Sequence, residues 1–94
     1  MSDFELDPLK DQTNKRKHGL PLDLGAQVFD RHFIEEQDVR ADYGEERFVA
    51  MGPVAALADR ICVVVYTWRN AKRRLISFRK ANDEEIARYR ASNP

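Results

Sequence analysis

The stretch RICVVVYTWRNAKRRLISFRK, residues 60–80, decides the fold. Its first half is β-branched and aromatic, its middle is polar, and its end returns to Leu75, Ile76 and Phe78, so it reads as two strands joined by a turn. The strands fall at Ile61–Arg69 and Arg74–Arg79. If Asn70 to Arg73 form a four-residue loop, Arg69 pairs with Arg74 and Tyr66 stands opposite Ser77. One face then carries Val63, Val65, Thr67, Ile76 and Phe78, an apolar surface that helices must cover. The other carries Val64, Tyr66, Trp68, Leu75, Ser77 and Arg79, a mixed aromatic and cationic surface where a ligand is expected. A three-residue loop would shift the register by one and mix the two faces.

The same stretch holds seven Lys or Arg and no Asp or Glu, although the whole chain has formal net charge zero. Residues 1–59 carry 7 basic and 13 acidic side chains, a net of −6, and residues 60–94 carry 9 and 3, a net of +6. Such separation offers one surface to polyanions and another to cationic partners. Arg69, Arg74 and Arg79 interleave with Tyr66, Trp68 and Phe78. Guanidinium groups neutralise phosphate and rings stack bases, so RNA is the first ligand these residues suggest.

Ninety-four residues bound the chain to one domain with a modest core, and 43% hydrophobic with 34% charged residues is a globular composition. The apolar run Ile61–Tyr66 is too short to span a bilayer, and the polar, acidic start shows no secretory signal, so the expected location is cytoplasmic. Cys62 lies inside that run as a small buried hydrophobe.

Outward from the hairpin, Phe48–Gly52 reads as a further strand and Phe4–Leu6 as a short first one. Asp7-Pro8 caps a surface helix from Pro8 to His18 that Gly19 stops, with cations in its last turns. Pro21 opens a shorter second helix. Asp30 to Glu46, with seven carboxylates, reads mostly as loop. Asn82 and Glu85 form a capping box for a last helix ending near Ser92, with Ile86 and Tyr89 inward.

Phe4, Asp7, Lys10, Asn14, Lys17-His18-Gly19, Gly44-Glu45-Glu46-Arg47-Phe48, Gly52, Val64-Val65-Tyr66-Thr67, Arg69, Arg74, Ile76-Ser77, Arg79-Lys80-Ala81, Glu85 and Tyr89 together give the chain a family likeness. It resembles the BrnT toxins of bacterial type II toxin–antitoxin systems, whose fold is similar to that of the RelE ribonucleases. Leu6 stands where Trp is expected and Phe78 where a small residue is usual, two departures that read as packing changes. The resemblance implies an α+β domain: a twisted antiparallel sheet made of the N-terminal strand and a three-stranded meander, two helices between them, and a C-terminal helix. It also implies a ribonuclease neutralised by a BrnA-like ribbon-helix-helix antitoxin in a two-to-two complex, with operator DNA bound only through the antitoxin and no membrane partner.

RNA cleavage without metal or cofactor uses the neighbouring 2′-hydroxyl as nucleophile. The protein then supplies proton transfer and cations around the developing charge. Arg79 is the expected transition-state cation, and Tyr66, His18 and Glu46 are the expected proton-transfer groups. Arg69, Lys80, Lys17, Arg47 and Arg74 are expected on phosphate, with Arg69 also suited to the transition state. Each has a plainer reading. His18 could cap helix carbonyls, Glu46-Arg47 could be an ion pair, Tyr66 could be core, and Lys72, Arg73 and Arg74 could be a solvated turn. The acidic run fits no metal-ligand spacing. Two other functions compete with the nuclease: a toxin-fold protein that only binds its antitoxin as co-repressor, and a simple RNA-binding module. The neutral total charge weighs against the last.

Overall fold

The computed structural model describes residues 3–92 of the chain. In order it runs β1 (Phe4–Leu6), α1 (Pro8–His18), a 3₁₀ segment (Leu22–Asp30), β2 (Ile34–Asp38), β3 (Arg47–Val54), a 3₁₀ turn (Ala55–Leu57), β4 (Arg60–Arg69), β5 (Lys72–Lys80) and α2 (Asp83–Ser92). The strands form one five-stranded sheet in the order β1-β5-β4-β3-β2. None of the helices among the described residues is long and apolar enough to cross a membrane.

The caps of α1 follow from local chemistry. Asp7 accepts from the Leu9 N–H at 2.8 Å, Pro8 opens the helix, and Gly19 closes it at φ +70°, donating to the Lys15 carbonyl at 2.9 Å. At α2, Asn82 and Glu85 each accept from the other's backbone N–H at 2.9 Å, the reciprocal capping box.

Three expectations are corrected. The sheet is mixed, because β1 lies parallel to β5 with Glu5 opposite Arg74; α1 leaves β1 as a crossover, and β1 fills only one end of that edge. Within the segment expected as loop, Ile34–Asp38 forms a fifth strand antiparallel to β3. It is polar because it is an edge strand, and charged edges resist pairing with other chains. The expected second helix is a 3₁₀ segment whose Gly25 lies against the sheet. A Cβ there would meet the Val64 side chain at 2.8 Å and Phe78 at 3.4 Å.

The hairpin differs most. Its loop is the two-residue turn Asn70-Ala71, at φ +54° and +63°, so Arg69 pairs with Lys72 and Tyr66 with Leu75. A β-bulge then leaves Ile76 unpaired, and beyond it Val65 pairs with Ser77, Val64 with Phe78 and Val63 with Arg79. Near the turn the expected faces hold. Past the bulge they reverse: Phe78 joins Val64 and Tyr66, while Ser77 and Arg79 join Val63 and Val65.

The main core accordingly lies on the Tyr66 side. Ala50, Cys62, Val64, Tyr66, Leu75 and Phe78 pack there under Leu20, Leu22 and Val28 of the segment after α1. Leu6 packs against this cluster too, so both departures from the family pattern sit in it. Cys62 is buried, as expected of a small hydrophobe, and burial pushes its thiol up to about 11. On the opposite side a smaller cluster of Met51, Val63 and Tyr89 is covered by α2, and Tyr89 anchors that helix by donating to the His32 carbonyl at 2.7 Å. The rest of that second face has no helix across it.

Candidate active site

The uncovered face of β4 and β5 forms the floor of a cleft of about 310 Å³. Val65, Ile76, Ser77 and Arg79 line the floor; α1 contributes Lys10, Thr13, Asn14, Lys17 and His18; Asp38, Arg40, Tyr43 and Arg47 form the far wall. Lys10, Asn14, Lys17 and His18 recur at helical spacing, so one face of α1 brings them all to the cleft. Five of the lining side chains are cationic at neutral pH and one is a carboxylate. A second hollow, of about 340 Å³, shares Asp38, Arg40, Val65, Ser77 and Arg79 and extends toward Glu85 and Arg88 of α2. Arg79 lines both hollows.

Asn14 fixes α1 to the sheet. It is 2% exposed, and its side-chain amide accepts from the Phe78 N–H and donates to the Phe78 carbonyl, both at 2.8 Å. The free edge of β5 beyond β1 is thereby paired as a neighbouring strand would pair it. A further bond to the Leu20 carbonyl at 2.9 Å ties in the chain that follows the helix.

Three ion pairs shape the electrostatics. The Arg79 guanidinium grips the Glu85 carboxylate with two bonds of 2.8 Å, which raises the arginine and holds Glu85 down at about 2. Arg40 grips Asp38 in the same way at 2.9 and 2.8 Å, and the Tyr43 hydroxyl donates to Asp38 at 3.2 Å. Those bonds hold the Asp38 carboxyl well below its usual range. The Arg47 guanidinium bonds Glu45 at 3.1 Å and sits 4.1 Å from the Tyr43 ring centre. The His18 side chain has no hydrogen-bond partner among the described residues, and the Lys15 carbonyl at the end of α1 is closed by Gly19 instead.

Of the residues expected from sequence, Arg79, His18, Lys17 and Arg47 come together in this cleft. The others do not. Tyr66 is wholly buried on the opposite face, its hydroxyl bonded to Glu35; burial, then that bond, raises its pKa. The parity change at the bulge separates it from Arg79. Glu46 and Arg69 line a separate depression beside the hairpin turn. Arg74 pairs with Glu5 at 2.9 Å and Asp7 at 3.5 Å, which ties β5 to the chain around β1. Lys80 pairs in register with Cys62, on the face away from Arg79. Sequence reading missed Asp38, Arg40 and Tyr43, which lie in and after an edge strand without periodic signal. It could have found the Lys10–Asn14–Lys17 face from helical spacing alone. Among the described residues, no three His, Cys, Asp or Glu side chains are grouped to hold a metal ion.

A small α+β sheet with cations gathered over one bare face suits a ribonuclease toxin, and the comparisons with known proteins return that class. The family model described as ribonuclease toxin, BrnT, of type II toxin–antitoxin systems matches residues 6–85, and the chain belongs to this family. It is similar in structure to the Brucella abortus ribonuclease toxin BrnT, known from a 1.1 Å crystal structure, with a TM-score of 0.61 and 25% identity over 85% of this chain and 96% of that one. No curated protein matches.

Proposed function

We propose that this member of the family cuts RNA in the Arg79 cleft by attack of the adjacent 2′-hydroxyl, without a metal ion. The observation that carries this reading is the convergence of Arg79, Arg40, Arg47, Lys10 and Lys17 with His18 over one open sheet face. Such a reaction asks the protein only for proton transfer and for cations around a dianionic phosphorane. Arg79 takes the transition-state role, since its planar fork already holds two carboxylate oxygens and can hold two phosphate oxygens in their place. His18 is the proton-transfer group, and the Tyr43 hydroxyl replaces Tyr66 as the available phenol. The fold, on this reading, is a RelE-type nuclease fold working in the cytoplasm.

The test is cleavage of single-stranded RNA by the purified protein in excess EDTA. Products ending in 2′,3′-cyclic phosphate or 3′-phosphate are expected; activity lost on chelation and restored by Mg²⁺ would overturn the mechanism.

The toxin family implies an antitoxin. We infer a BrnA-like ribbon-helix-helix partner in a two-to-two assembly, covering the cleft with an acidic segment and reading the operator through its own strand pair. In gel shifts on upstream DNA, the complex and the antitoxin should bind and the toxin alone should not. Specific binding by the toxin alone would refute this arrangement.

A further inference from the structure

A third depression, of about 320 Å³, lies beside the β4–β5 turn and is lined by Glu45, Glu46, Phe48, Thr67, Trp68 and Arg69. We propose that it is a nucleobase subsite for the RNA: Trp68 stacks one base, Glu46 accepts from that base's amino group, and Arg69 holds the neighbouring phosphate. The inference rests on the Arg79 cleft being where RNA is cut.

Trp68 is half exposed yet firmly placed. Its ring meets Tyr66 edge-to-face at 5.7 Å, and the Arg73 guanidinium lies 4.7 Å from its centre. Arg73 is itself lodged 4.0 Å from the Phe29 ring and 5.2 Å from that of Tyr66. A ring fixed this way presents a stacking surface at little cost in conformational freedom. Base–aromatic stacking is worth about 1–3 kcal/mol.

Two of the charged groups around it are unspent. Glu45, Glu85 and Glu5 are each paired with an arginine, whereas the Glu46 carboxylate and the Arg69 guanidinium have no partner among the described residues. A carboxylate only accepts hydrogen bonds, so Glu46 suits an amino-bearing base and disfavours uracil at this position. It also repels phosphate, which leaves the backbone to Arg69.

The two sites share no lining residue but adjoin along the chain. Arg47, next in sequence to Glu46, lines the Arg79 cleft, and the Glu46 carbonyl accepts from the Thr67 hydroxyl at 2.7 Å, which fixes this wall to β4. Val65 on the cleft floor and Trp68 are three residues, about 10 Å, apart along β4 and point to opposite faces, so an RNA strand that reaches both sites rounds the end of the sheet beside the β4–β5 turn.

Trp68 is the single tryptophan of the chain, so its fluorescence reports this site directly. The full chain is titrated with uncleavable 2′-O-methyl tetranucleotides, and cleavage of the matching RNA tetranucleotides and of dinucleotides is measured alongside. Saturable quenching, stronger for cytosine than for uracil at one position, is expected. Trp68→Ala should lower kcat/KM for tetranucleotides about 10-fold and leave dinucleotides unchanged, while Trp68→Phe keeps most of the rate. Glu46→Gln should erase the preference against uracil. Cleavage with Trp68 fluorescence undisturbed would overturn the subsite and leave the cleft reading standing. Saturable quenching without cleavage of any RNA would support the subsite and overturn the cleft reading. Quenching by an acidic peptide and not by RNA would overturn the subsite by making the patch a protein-docking surface.

Discussion

Asn14 completes from within a helix what β1 leaves undone at the edge of the sheet. Its amide meets both backbone groups of Phe78, and the buried site offers those groups no water in exchange. Asn14→Ala should therefore cost about 2–4 kcal/mol, because unpaired buried polar groups cost more than an average hydrogen bond contributes. Urea denaturation checks this, with the midpoint falling and the slope unchanged; a loss under about 0.5 kcal/mol, the range of ordinary surface changes, would mean that α1 is held by packing alone. Arg79 shows the opposite economy. Its guanidinium is occupied by Glu85, so on the proposed mechanism RNA displaces an existing pair to engage it. Asp38 and Arg40 stand in the same relation on the facing wall. The cleft is thus kept ordered by ion pairs whose cations are the groups phosphate would need.

The elements whose ends carry cap residues were legible in the sequence: Asp7-Pro8 and Gly19 bracket α1, and Asn82 with Glu85 open α2. The path of β5 was not. Leu75 and Ile76 form an apolar pair with no alternation to betray a bulge, and the short Asn70-Ala71 turn lacks the glycine that usually marks such a loop. One unpaired residue was enough to move Arg79 from the face of Tyr66 to the other. β2 escaped because an edge strand built of Ile-Glu-Glu-Gln-Asp has no hydrophobic period to read. At α2 the chemistry gives a pH dependence. The Glu85 carboxyl is lowered from 4.5 to about 2, by its bond to Arg79 foremost, so its charged form adds stability above pH 4.5. That contribution is lost as pH falls from 4.5 toward 2. Glu85→Gln should be less stable than the native chain at neutral pH, and the gap should close across that acid window in parallel thermal melts. A gap constant with pH would show that hydrogen bonding rather than charge fixes α2.

The whole molecule divides its labour between two faces of one sheet. On one, the 3₁₀ segment after α1 buries Tyr66 among apolar side chains; on the other, α2 covers only one end and leaves cations exposed above Val65 and Ser77. The charge separation along the sequence is therefore only partly a separation in space. Lys10, Lys17, Arg40 and Arg47 from the acidic half join Arg79 from the basic half around the cleft. Family membership accounts for a ribonuclease toxin, and the proposed mechanism places the cut at the face carrying Arg79. The two faces can be set against each other in one experiment: single-turnover cleavage of an RNA oligonucleotide in EDTA by the native chain, Arg79→Ala and Tyr66→Phe, each checked by circular dichroism. Arg79→Ala should lose about 10²–10³-fold in rate, and Tyr66→Phe should stay within a few-fold of native. A folded Arg79→Ala that cuts at the native rate, or a folded Tyr66→Phe that does not cut, would contradict the assignment of catalysis to the open face.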